Sequence, residues 1–135
     1  MGTQGSVDGG LLRAAVEGDL SALGVVLVAD HAAIRDASEG AELVVGPSAV
    51  CGVLRAFRAG EASAGQVQSW ASFVRRGYVA GREAGAVSPV DLAYEGDREE
   101  AIAQVVARLD ELGDAIDGII TAEEINQLLR FMAGE

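Results

Sequence analysis

Ser63 followed three positions on by Gln66 spells a capping box, and behind it Val67, Trp70, Ala71 and Val74 recur at i, i+3, i+4 and i+7. In such a box the serine side chain takes a backbone N–H of the first turn while the glutamine reaches back to the serine N–H. Two donors that a helix start leaves orphaned are thereby satisfied. The pattern predicts a helix from 64 to about 76, ending before Gly77, with an extension to 80 before Gly81 left open. Punctuation of this kind recurs along the chain, and it commits the chain to packed amphipathic helices.

Gly46-Pro47 opens the preceding helix with proline at its first position, where the missing N–H costs nothing. Its apolar face is Val50, Val53, Leu54 and Phe57, and Gly60 ends it. A later helix over 97–112 places Ile102, Val105, Val106 and Leu109 on one stripe, with Gly113 as its stop. Thr121-Ala-Glu-Glu124 is a second capping box, opening a last helix that buries Ile125, Leu128, Leu129 and Met132. Ser88-Pro89 is expected to start a short helical turn carrying Val90 and Leu92.

The first 45 residues read less sharply. Residues 1–10 are too glycine-rich to be ordered without help and are expected to be flexible. A first helix over 11–17 is interrupted at Gly18-Asp19, and Asp19 is placed to cap a second over 20–37. The centre of that second segment, Val25-Val-Leu-Val28, fits either a buried helix or a short strand. Helix is preferred, because helical spacing continues through Ala37 without a turn signal. A loop at 38–41 and the apolar run Leu43-Val-Val45 follow. The expected fold is therefore all-α: an antiparallel bundle of about four core helices over 47–135, with additional N-terminal helices packed across it as one domain over 11–135.

With 135 residues the chain is long enough for one buried core. Half of it is apolar but only six residues are aromatic, so that core is built mostly of Ala, Val, Leu and Ile. All ten basic residues are arginine, which reads as compositional bias, as Ala, Gly and Val are also abundant. One cysteine, Cys51, excludes an internal disulfide, and no signal-peptide pattern is seen. No apolar run reaches the ~18 residues a membrane span requires. A cytoplasmic protein with no membrane contact is the expectation.

Charge is distributed unevenly. Of the net charge of −11, most falls after residue 90, where twelve acids face three arginines. An acidic block speeds encounter with a basic protein partner and argues against nucleic acid, whose phosphates demand a basic footprint. Solubility alone is the competing explanation. Asp97, Glu100 and Gln104 share one helix face, and Asp110, Glu111, Asp114 and Asp117 crowd the turn that follows. Acids at a helix start are stabilised by the macrodipole, whereas Asp110 and Glu111 sit at a helix end and cost about 0.3–1 kcal/mol each. Acids kept at such a cost are better functional candidates. Glu95, Asp97, Glu100, Asp110, Glu111, Asp114 and Asp117 form the expected partner-binding set.

Other chemistries are thinly supported. Asp117-Gly-Ile-Ile-Thr-Ala-Glu-Glu124 matches the second half of a calcium loop, but positions one and three fall on Gly113 and Ala115, which offer no side-chain oxygen. A turn and a helix cap explain the same residues. His31 is the lone histidine, so no two-histidine metal site can form, and no nucleophile pairs with it. Cys51 reads as a small core residue. Trp70 matches the core stripe, while Phe73, on an adjacent side, suits an exposed interface anchor. Neither a metal nor a cofactor is expected.

Two longer strings carry a resemblance. Residues 54–70, Leu-Arg-Ala-Phe-Arg-Ala-Gly-Glu-Ala-Ser-Ala-Gly-Gln-Val-Gln-Ser-Trp, and residues 109–124, Leu-Asp-Glu-Leu-Gly-Asp-Ala-Ile-Asp-Gly-Ile-Ile-Thr-Ala-Glu-Glu, resemble the bacterial self-protective, colicin-like immunity family that includes the colicin D immunity protein. The likeness spans roughly residues 50–132, aligns loosely between 77 and 95, and leaves 1–45 outside it. It implies a helical bundle that binds a cognate ribonuclease toxin and blocks its cation-lined active site with carboxylates, without being an enzyme itself. The rival reading is a small enzyme or ligand-binding protein with a pocket near His31 and residues 20–45. A strand at 25–28 or 43–45 lining a cavity favours the rival. A closed bundle with a continuous acidic patch from Glu95 to Asp117 favours the inhibitor. A homodimer held by exposed apolar helix faces is a third possibility.

Overall fold

Asp8 supplies what the glycines behind it lack. In the computed structural model, which describes residues 8–29, 31–39, 42–77, 90, 92–112 and 120–133, its carboxylate accepts the Leu11 N–H at 2.7 Å and caps α1 (Gly9–Val16). The helix thus starts two residues earlier than the glycine content suggests. It ends at Gly18, whose φ of +103° is left-handed. A Cβ there would lie 3.1 Å from the Ala49 carbonyl oxygen, so glycine is also what lets this turn approach the helix carrying Ala49.

Asp19 caps α2 (Leu20–Leu27) as expected, accepting the Ser21 and Ala22 N–H groups at 3.0 and 3.1 Å. The Val25–Leu27 stretch is helical, not a strand. The single helix expected over 20–37 is nevertheless two. α2 stops at Val28, where the Val28 and Ala29 amides reach back only three residues, and α3 (His31–Ser38) begins afresh. Both α2 and α3 pack on α1. A straight helix of that length would run about 27 Å and carry its second half away from α1; the break folds it back, burying Val26, Ile34 and Ala37.

The core helices follow the sequence pattern closely. α4 (Pro47–Arg58) buries Ala49, Val50, Val53 and Leu54. α5 (Ala64–Arg76) has both hydrogen bonds of the Ser63/Gln66 box and ends at left-handed Gly77; the extension to 80 lies outside the described residues. α6 (Glu99–Leu109) is preceded by a 3-10 turn, Gly96–Arg98, and buries Ile102, Val105, Val106 and Leu109. α7 (Ala122–Met132) is capped by Thr121 and buries Ile125 and Met132, while Leu128 and Leu129 are half-buried. Gly113, the expected stop of the sixth helix, and Ser88-Pro89 lie outside the described residues.

Two contacts fix how α6 and α7 run. Arg98, at the start of α6, donates to the Phe131 and Met132 carbonyls at the end of α7, at 2.9 and 2.8 Å. Arg108, at the other end of α6, bonds Glu124 at the start of α7. The pair is therefore antiparallel. α5 is covered by α6, α4, α1 and α2, and this explains a correction: Phe73 is not an exposed anchor but 1% exposed, as deep as Trp70.

The all-α class holds with one small addition. β1 (Val44–Val45) pairs in parallel with β2 (Ala93–Tyr94), joined by the Ala93 N–H to the Leu43 carbonyl at 3.0 Å and the Glu95 N–H to Val45 at 2.9 Å. Within the apolar run at 43–45, Val44–Val45 is thus a strand, and Leu43 and Val45 are buried. Among the described residues no helix is long and apolar enough to cross a membrane.

Candidate functional site

Four acids cluster where the chain leaves β2 and enters α6. Glu95, Asp97, Glu99 and Glu100 are all exposed, and none makes an ion pair with a described residue. Arg98 lies among them in sequence, but its guanidinium is turned to the α7 carbonyls, where it offsets the negative end of that helix. Glu99 and Glu100 also gain from the N-terminal dipole of α6. Glu95 and Asp97, ahead of the α-helix, have no such structural account.

Asp110 is placed differently. Its side chain is only 5% exposed, and its Oδ2 accepts Arg75 and Arg76 at 2.8 and 2.9 Å while Oδ1 accepts Gln68 Nε2 at 2.9 Å. An acid at a helix end costs little when two guanidiniums from a neighbouring helix meet it. The unfavourable position that marked Asp110 as functional is explained by this tie between α5 and α6, which leaves no exposed carboxylate for a partner. Glu111 is half-exposed and pairs with Arg108 at 2.9 Å. Asp114 and Asp117, with most of the calcium-loop match, lie outside the described residues.

Glu124 occupies the acidic position of the Thr121 capping box and the last ligand position of the calcium pattern. Only half of the box forms, the Glu124 N–H donating to Thr121 Oγ1 at 3.1 Å. The carboxylate instead takes Arg108 Nε and Nη2 at 2.6 and 3.1 Å, a two-pronged contact. Those hydrogen bonds hold the Glu124 carboxyl below its ordinary range and the Arg108 guanidinium above its own. Among the described residues no group of three potential ligands could hold a metal ion.

Two clefts flank the small sheet. One, of about 400 Å³, is lined by Glu17, Val44, Gly46, Ser48, Ala49 and Glu95. The other, of about 460 Å³, lies along β2 and the end of α5, with Arg75, Arg76, Leu92, Tyr94 and Glu99 in its lining. Burial pushes the Tyr94 phenol up, with the Arg75 charge opposing. His31 opens α3, and its side chain lies outside the described residues. Cys51 is half-buried on α4, packed against the core.

No protein-family model, curated protein or solved structure matches the chain. The resemblance to colicin-like immunity proteins therefore stands on the two quoted strings alone. Sequence reasoning missed Arg75, Arg76 and Tyr94. The arginines read only as the end of a helix, and nothing in one sequence signals that a carboxylate 34 and 35 positions away would meet them.

Proposed function

We propose that this chain is an acidic protein-binding module that neutralises a basic partner, with Glu95, Asp97, Glu99 and Glu100 as the contact edge. One observation carries the reading: four exposed carboxylates within six residues, each without an ion pair among the described residues. Such an edge concentrates negative potential and suits a cleft that holds phosphates with cations. A nuclease-type bacterial toxin is the partner that the immunity-family resemblance implies. The acidic set is redrawn toward the start of α6, because Asp110 and Glu111 are engaged within the fold.

The test is association of the full chain with the protein encoded beside it, followed at low and moderate salt. The rate should fall with salt and fall again, about threefold or more, in an Asp97→Asn/Glu100→Gln double variant. A rate indifferent to both salt and the double variant would overturn the proposal.

A second reading has an observation of its own. The strand at 44–45 exists, and Val44 lines a cleft of about 400 Å³ beside Glu17 and Glu95. That arrangement favours a ligand-binding role.

A further inference from the structure

The cleft along β2 combines features that neither reading uses. Arg75 and Arg76 end α5 side by side, and both line it. Each commits one nitrogen, Nη1, to Asp110 Oδ2, and the Arg76 Nη1 also donates to Ser72 Oγ at 2.9 Å. The Nε and Nη2 donors of both guanidiniums have no acceptor among the described residues. Asp110 is fixed in turn by Gln68, so the two forks are tethered at one corner with their other donors unused. A tethered guanidinium loses little freedom on gripping a carboxylate, which makes it a good anion clamp.

The remaining lining sets the shape and charge of the guest. Val74 and Leu92 offer apolar wall, and the half-buried Tyr94 adds a hydroxyl whose bond to the Val74 carbonyl is long, at 3.4 Å. Arg75 and Tyr94 line the same cleft, so a guest held by one is within the walls of the other. A volume of about 460 Å³ accommodates a ring or a branched aliphatic chain. Among the described residues, the two arginines are balanced by Asp110 and by Glu99, which also lines the cleft. A dianion would leave the cleft strongly negative in a protein already at −11, whereas a single negative charge is tolerated.

We propose that this cleft binds a small organic monoanion, a carboxylate on a compact apolar body, held by the unused donors of Arg75 and Arg76. The cleft adjoins the protein-binding edge at Glu99, but the anion contacts assigned to it come from Arg75, Arg76 and Tyr94, which that edge does not use.

Titration of the isotopically labelled full chain with benzoate, followed by amide NMR at fixed ionic strength, tests it. Benzoate should shift the amides of Gly77, Val90, Leu92 and Ala93 saturably. Benzamide, of the same shape without the charge, and inorganic phosphate should bind at least about tenfold more weakly. Arg75→Gln should weaken benzoate about tenfold. Because Arg75 also holds Asp110, Tyr94→Phe serves as a second variant that leaves the ion pairs intact and should weaken benzoate about threefold. Absence of saturable shifts at millimolar benzoate would overturn the proposal. So would equal binding of benzamide or phosphate, or benzoate binding unchanged in Tyr94→Phe and in a folded Arg75→Gln.

Discussion

The indole Nε1–H of Trp70 donates to the main-chain carbonyl oxygen of Ala15 at 3.1 Å, both residues being fully buried. Through this bond the middle of α5 holds the end of α1, across 55 positions of sequence. The N-terminal helices, outside any family resemblance, are thereby part of one core with the rest of the chain.

Trp70→Phe removes the donor and leaves a gap where the second ring sat. The Ala15 carbonyl keeps the Gly18 N–H at 3.1 Å, so it is not stranded. A loss of about 2 kcal/mol is expected, part hydrogen bond and part cavity. Urea unfolding followed by far-ultraviolet circular dichroism measures it. A loss below about 0.5 kcal/mol would mean that the indole does not hold α1.

Arg98 should matter to the far end of a helix it does not belong to. Its Nη2 satisfies the Phe131 and Met132 carbonyls that α7 leaves open. In Arg98→Gln the last turn of α7 is expected to fray, with faster hydrogen exchange at the Leu129–Met132 amides and a stability loss of about 1–2 kcal/mol. Unchanged exchange there would show that water caps the helix equally well.

Acid should weaken the α6–α7 contact in a defined sense. The Glu124 carboxyl lies below its ordinary value of 4.5 in the folded chain, because the Arg108 hydrogen bonds favour its ionised form. The folded state thus binds fewer protons than the unfolded one near that pH. The contribution is fully present above pH 4.5 and is lost as pH falls through the folded value. Comparing stability of the wild type and Glu124→Gln between pH 7 and pH 3, the wild type should lose more on acidification. Parallel curves would mean that the pair contributes nothing measurable.

Local signals were legible in the sequence and distant ones were not. Ser63 with Gln66, Asp19, Pro47 and the stripes of α5 and α6 rest on neighbours within one or two turns, so a single sequence carries them. The break after Val28 lets α2 and α3 both pack on α1, a contact between separate helices that the helical spacing continuing to Ala37 hid. Phe73 falls beside the single apolar stripe that the spacing marks, but α5 is covered on several sides and buries it as well. The pairing of β1 with β2 joins segments 49 positions apart through two residues each. Glu124 shows competition between levels: its spacing fits a capping box, but Arg108 offers a charged partner, and the ion pair wins.

The Val44–Ala93 ladder has a consequence for how the molecule can be divided. Its two strands lie on opposite sides of residue 90, the point where the charge of the chain changes character. Severing the protein there would strip Leu43 and Val45 of their strand partner and leave Ile102, Val105 and Leu109 without a core to enter. The acidic third is thus no detachable tail. It folds and unfolds together with the nearly neutral part that it closes.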